Sequence, residues 1–131
     1  MHDAYTATAV IELDVDAVFA FVSEPENQPR WAINFVRSTR SAGRGRYVME
    51  TPMGELAYRL ELDRERRVAD WVFELPAGET VMPARVVPHA AGAVFTFTIP
   101  RMPGADDAAW EQGRRGLDEE LATLKRLLED A

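Results

Sequence analysis

Between Tyr47 and Ile99 the large apolar residues fall on alternate positions, and the alternation carries over from one run to the next. "ELAYRLEL" places Leu56, Tyr58, Leu60 and Leu62 two apart, and "ADWVFEL" does the same with Ala69, Trp71, Phe73 and Leu75. If every hairpin loop has an even number of residues, both sets share one face of a sheet. The same reasoning adds Tyr47 and Met49, then Met82, Ala84 and Val86, then Phe95, Phe97 and Ile99. It turns Glu50, Glu55, Arg59, Glu61, Asp70, Glu74 and Arg85 outward. Three cross-strand rows are predicted: Tyr47, Tyr58, Phe73, Ala84 and Phe97; Leu60, Trp71, Val86 and Phe95; and Met49, Leu56, Leu75, Met82 and Ile99.

A sheet with one such face must bury it under something. The cover is "DDAAWEQGRRGLDEELATLKRLLEDA", where Trp110, Leu117, Leu121, Leu124 and Leu128 recur at helical spacing. Glu111, Arg115, Asp118, Glu119, Lys125 and Arg126 take its other side. Asp106 and Asp107 favour its start, and Lys125 and Arg126 its end, through the helix dipole. With 131 residues, 47% of them hydrophobic, the chain is expected to fold as a single α+β domain.

Ahead of the meander, "YTATAVIEL" (Tyr5 to Leu13) reads as a strand, and Asp14 can cap a short helix running to Ser23. Pro25 suits the first turn of a second short helix that ends near Trp31. From Phe35 to Pro100, "SAGRG", "PMG", "DRER", "PAGE" and "PHAAG" punctuate six strands.

This order resembles the START-like, or SRPBCC, superfamily, which includes the Bet v 1 proteins and the polyketide cyclase/dehydratase-like families. The resemblance spans essentially the whole chain, and its most specific stretch is "DVDAVFAFVSEPENQPRWAINF", similar to the family's first helix followed by an acidic residue, Pro, Glu, Asn and then Trp. It implies a helix-grip fold, a curved seven-stranded antiparallel sheet wrapped around the long C-terminal helix and an apolar cavity. The superfamily has no invariant catalytic signature, so the resemblance speaks to fold more than to chemistry.

In such a fold Trp31, Ile33 and Phe35 stand at one end of the sheet with Met53, Met102 and Trp110, and can form a pocket mouth. Trp31 can equally be a plug that packs the helix pair onto the sheet, the commoner role of a buried Trp. Tyr47, Met49, Tyr58, Trp71, Phe73, Met82, Phe95 and Phe97 are the candidate ligand contacts on the sheet. Trp110, Gly113 and Leu117 are those on the helix. An aromatic and Met stripe is by default ordinary core, but Gly113 and Gly116 each cost up to about 1 kcal/mol in a helix against Ala, which asks for a packing, bending or space-making reason. Ala84 adds a small position among aromatics. Tyr47, Tyr58 and Trp71 carry polar groups that need partners once buried, either on a ligand or within the protein.

Several chemistries are disfavoured. Twenty-two acidic against fifteen basic residues give a net charge of -7, which argues against nonspecific binding to nucleic acid or anionic membrane. There is no cysteine, no phosphate-binding or dinucleotide glycine motif and no nucleophile elbow. His89 reads as a solvated turn residue and His2 as part of a frayed terminus, so no metal or cofactor is expected. The outward acidic residues leave no strong general acid or base; an odd loop near Pro83 would instead turn Arg85 inward. No run of about 18 apolar residues and no signal-like N-terminus occurs, so a cytoplasmic protein is expected.

Three functions remain. The first is binding of a small hydrophobic or amphipathic ligand, lipid-like or polyketide-like, between helix and sheet. The second is a cyclase or dehydratase that uses the same pocket. The third is a protein-interaction or chaperone-associated domain working through Arg37, Arg40, Arg44, Arg46, Arg64, Arg66 and Arg67, or through a sheet edge that could also pair in a homodimer.

Overall fold

A computed structural model describes residues 3–130, and the alternating runs form one seven-stranded antiparallel sheet. Its strands are β1 (Ala4–Ile11), β2 (Ser38–Gly43), β3 (Arg46–Thr51), β4 (Gly54–Asp63), β5 (Val68–Leu75), β6 (Gly78–His89) and β7 (Gly92–Pro100). The order β1-β7-β6-β5-β4-β3-β2 makes β2 to β7 a simple meander and adds β1 beside β7. Between β1 and β2 lie α1 (Val15–Val22) and, after a 3-10 turn at Pro25–Asn27, α2 (Gln28–Trp31). The long helix α3 spans Asp107–Glu129, completing the expected helix-grip α+β fold.

Local chemistry sets the helix starts. The Asp14 carboxylate accepts from the Asp16 N–H at the head of α1, and Asp106 accepts from the Ala109 N–H at 2.8 Å at the head of α3. Each side chain thereby satisfies one of the amide donors that a first turn leaves unpaired.

Face parity holds along the whole meander. Met49, Tyr58, Ala69, Trp71, Phe73, Ala84, Val86, Phe95 and Phe97 are all buried. Leu62 shares their parity but stands 38% exposed near the end of β4, past the cover. On the outer face Arg59 meets Glu61 and Glu79, Arg85 meets Asp70, and Arg46 meets Glu74. Because Asp70 stands opposite Pro83 in an unbroken ladder from Val68 to Leu75, no bulge turns Arg85 inward.

Register follows the predicted rows on one side of the sheet. Tyr47 pairs with Tyr58, Tyr58 with Phe73, Met49 with Leu56, and Leu60 with Trp71. The β6–β7 pairs Ala84–Phe97 and Val86–Phe95 also form as expected. The rows break between β5 and β6, where Phe73 faces Thr80 rather than Ala84 and Trp71 faces Met82 rather than Val86. The cause is the turn: Leu75 pairs with Gly78, so the chain reverses on Pro76 and Ala77 alone and the following residues join the strand. Gly78, at φ 125°, takes up a conformation that suits glycine. The slip of four is even, which is why every side chain kept its face.

Small residues let large ones fill the grip. Phe97 is flanked across the sheet by Ala7 and Ala84, and Phe95 by Ala9 and Val86. Trp31 meets their edges, with ring centroids 5.8 Å from Phe95 and 6.2 Å from Phe97, both T-shaped. Such pairs add roughly 0.5–1.5 kcal/mol each beyond the area they bury. Leu117, Leu121, Leu124 and Leu128 of α3 are buried in the same core. Polar ties hold α3 to β1: the Tyr5 hydroxyl donates to Asp118, and Lys125 Nζ donates to the Val10 carbonyl.

Candidate functional site

The C-terminal part of α3 presents leucines to the core, while its first half presents Ala109, then Gly113, then Leu117 at four-residue intervals. Where those side chains are small, a cavity of about 300 Å³ remains between helix and sheet. That is the low end of the size range of small-molecule sites. Its sheet wall is Leu56, Phe73, Leu75, Met82, Phe97 and Ile99. Gln28, Trp31, Ala32, Phe35 and Val36 close one side, and Met53, Met102, Ala105 and Trp110 surround the other end. Met53 is 62% exposed, so the cavity opens to solvent beside the β3–β4 turn.

Of the residues singled out in the sequence, Trp31, Phe35, Phe73, Met82, Phe97, Trp110, Gly113 and Leu117 line this cavity. Tyr47, Met49, Tyr58, Trp71 and Phe95 do not; Met49, Tyr58, Trp71 and Phe95 are buried in the core and Tyr47 is half-buried. The polar groups of Tyr58 and Trp71 find partners inside the protein. The Tyr58 and Thr39 hydroxyls hydrogen-bond to each other, and Trp71 Nε1 donates to Gln28 Oε1 at 3.0 Å. Burial raises the Tyr58 pKa above its ordinary value, which keeps the phenol neutral. Ile33, expected at the mouth, points to solvent instead. Trp31 combines both of its expected roles, packing on Phe95 and Phe97 while forming part of the cavity wall.

The two helix glycines divide. A Cβ built on Gly113 meets nothing within 4 Å, so this residue borders open space. At Gly116 a Cβ would touch Asn34 Nδ2 at 3.5 Å, and the same amide donates to the Gly116 carbonyl. A Cβ at Gly116 would thus make ordinary van der Waals contact with the α2–β2 connection, without a clash. Gly113→Ala is expected to stabilise the fold by about 0.5–1 kcal/mol, since helix propensity improves and no clash follows. Urea denaturation reads this directly; a loss of stability would show that the space is not there.

One titratable group at the cavity was not among the sequence candidates. Glu120 is only 5% exposed, lines the cavity, and accepts the backbone N–H groups of Asn34 at 2.9 Å and Phe35 at 3.0 Å through Oε2. Burial pushes its pKa up to about 7, against the lowering effect of those two hydrogen bonds and with a smaller contribution from the Glu119 charge. The signal was present in its spacing: Glu120 follows Leu117 by three and precedes Leu124 by four, on the apolar stripe itself. Trp31 is 1% exposed, and its Nε1 has no hydrogen-bond partner among the described residues. A buried donor left unpaired costs roughly 1–3 kcal/mol.

The charged features elsewhere are largely committed. Arg40 pairs with Glu55 at 3.1 Å, Arg46 with Glu74, Arg66 with Asp63 at 3.7 Å and Arg67 with Asp16 at 2.8 Å. The exposed His89 accepts from the Ala91 N–H through Nδ1 within its turn. His2 lies outside the described residues.

A family model described as polyketide cyclase / dehydrase and lipid transport matches residues 2–129. The chain belongs to this family. With that membership comes the START-like, SRPBCC superfamily assignment. Among solved structures, this family member resembles the protein MLL2253 from Mesorhizobium loti at 13% identity, with a TM-score of 0.74 and 98% of each chain covered. It resembles the Aha1 dimer of Colwellia psychrerythraea at 13% identity and a TM-score of 0.75, covering 97% of this chain and 96% of the other. The di-domain ARO/CYC protein BexL, from the BE-7585A biosynthetic pathway, matches at 24% identity and a TM-score of 0.68, over 98% of this chain and 46% of BexL. At these identities the likeness is one of fold. No curated protein matches the chain. Among the described residues no helix is long and apolar enough to cross a membrane.

Proposed function

We propose that this family member binds a small hydrophobic or amphipathic molecule in the cavity between α3 and the sheet. The observation that carries this reading is the cavity itself, about 300 Å³ walled mostly by aromatic, methionine and aliphatic side chains, with few polar groups. An apolar, preformed recess with sparse polar groups is the usual form of a small-molecule site. The family description, which joins cyclisation to lipid transport, is compatible with such a cargo.

The test is a titration with the neutral fluorophore N-phenyl-1-naphthylamine. Saturable one-to-one binding is expected, weakened at least tenfold in Gly113→Phe, whose added ring has the cavity to enter. Equal affinity of the two proteins would place the dye elsewhere and remove the support for this reading.

A cyclase or dehydratase is the second reading, favoured by Glu120. A buried carboxyl at the cavity wall, with a pKa of about 7, is suited to moving protons near neutral pH. Turnover of a poly-β-ketone substrate that Glu120→Gln reduces at least a hundredfold, without loss of binding, would establish this reading; unchanged turnover in the variant would exclude Glu120 as its acid or base.

A further inference from the structure

Of the side chains around the cavity, Glu120 is the one that can carry a charge, and it is an acid. Gln28, also in the wall, is neutral and gives its carbonyl oxygen to Trp71. Among the described residues, the side-chain nitrogens and oxygens that are both closed to solvent and unpaired are Trp31 Nε1 and Arg114 Nε. Glu120 Oε2 holds the Asn34 and Phe35 amides, while Oε1 makes no hydrogen bond among the described residues, so Oε1 keeps accessible surface. In a side chain that is 5% exposed and lines the cavity, this oxygen is open to a ligand.

The surroundings share one sign. Trp31, Phe35, Phe73, Phe97 and Trp110 contribute aromatic rings to the wall, and an aromatic face attracts cations. The sheet wall and residues 32–36 carry no charge, and Glu119, the charged neighbour on α3, is again an acid. The chain as a whole carries a charge of -7, a field that draws in cations and holds off anions.

Each ligand end group meets this site differently. A carboxylate would set a second negative charge beside Glu120 in a poorly solvated space. A hydroxyl or amide can donate to Oε1 but leaves the charge of the carboxylate uncompensated. A protonated amine donates through a charge-assisted bond, roughly twice as strong as a neutral one, and its charge lies among aromatic rings. Folding has already stripped water from the Glu120 carboxyl, which is why its pKa is pushed up to about 7, so the ammonium adds only its own desolvation.

On the reading that the cavity binds ligand, we propose that its ligand is an apolar molecule bearing one protonated amine, which donates to Glu120 Oε1, and that free carboxylic acids such as fatty acids are excluded.

The experiment compares three probes of matched shape, 2-naphthylmethylamine, 2-naphthylmethanol and 2-naphthoate, by calorimetric titration of the full chain at about pH 8, where Glu120 is ionised and the amine protonated. The amine is expected to bind about tenfold or more tightly than the alcohol, and the naphthoate most weakly. At about pH 6 Glu120 holds a proton and is neutral, so the amine-to-alcohol affinity ratio should fall severalfold. In Glu120→Gln the ratio should approach one at both pH values, and Gly113→Phe should weaken the amine at least tenfold. Equal affinities for amine and alcohol, a preference for naphthoate, or an amine preference that persists in either variant would overturn the amine proposal while alcohol binding leaves the cavity reading in place. Failure of all three probes to bind would overturn both. Circular dichroism checks that the variants fold; if either does not, the ranking and its pH dependence on the unaltered chain decide.

Discussion

Glu120→Gln is expected to remove most of the loss of stability that the unaltered chain shows between about pH 5 and pH 8. In the folded chain burial pushes the Glu120 pKa up to about 7, whereas its ordinary value is 4.5. Between those values the folded state holds a proton that the unfolded state has released. Folding therefore takes up a proton, and stability falls as pH rises until the carboxyl is ionised in both states. The contribution is present in full below the unfolded value and is lost through the folded one. Its size is on the order of 3 kcal/mol by the 1.36 kcal/mol that each tenfold in proton affinity is worth. Glu79 and Glu129 are held below their ordinary values, chiefly by Arg59 and by Lys125, so their stabilisation is in place by pH 5 and does not enter this window. The glutamine keeps an oxygen for the Asn34 and Phe35 amides but cannot ionise. Urea denaturation of both proteins at the two pH values gives the answer; parallel losses would show that Glu120 is not the group responsible.

Gly92→Ala should be far more damaging than Gly113→Ala is beneficial. Gly92 opens β7 opposite His89, at φ 142°. A Cβ there would come within 2.6 Å of the Ile11 and Leu13 carbonyl oxygens and 2.7 Å of the Leu13 nitrogen. All three are backbone atoms, so no side chain can swing aside; the β6–β7 turn and the β1–α1 connection would have to separate. Strain of this kind, with an unfavourable backbone conformation added, is expected to cost about 3 kcal/mol or more, a fall in Tm of roughly 10–20 °C for a chain of this length. A Tm within about 2 °C of the unaltered protein would show that the two connections are not packed as described.

Much of the fold was legible because period two is a robust signal. Parity survives any even error in loop length, and the one misplaced turn, at Pro76 and Ala77, was such an error. Register there was not legible: "PAGE" is compatible with several loop lengths, and the difference between Phe73 facing Ala84 and facing Thr80 leaves the hydrophobic pattern unchanged. The cavity was half legible. Gly113 marked missing volume on the inward side of α3, but whether a recess is hollow depends on how far the surrounding side chains reach. The aromatic rows alone could not separate the wall residue Phe73 from its neighbour Tyr58, which is sealed behind it in the core. Tyr58 and Trp71 drew notice for polar atoms that Thr39 and Gln28 satisfy; those partners come from β2 and α2, remote in sequence. Glu120 was passed over for the opposite reason. A single charge on a leucine stripe is easily assigned to the solvated side of a helix, and only the approach of Asn34 and Phe35 explains its burial.

The central claim, that the space between α3 and the sheet holds a small apolar molecule, is tested most directly by native mass spectrometry of the freshly purified protein with organic extraction of whatever denaturation releases. The account predicts a stoichiometric adduct that is extractable and apolar or amphipathic, and that is missing from Gly113→Phe. A bare-chain mass as purified, and again after incubation with N-phenyl-1-naphthylamine, would contradict it.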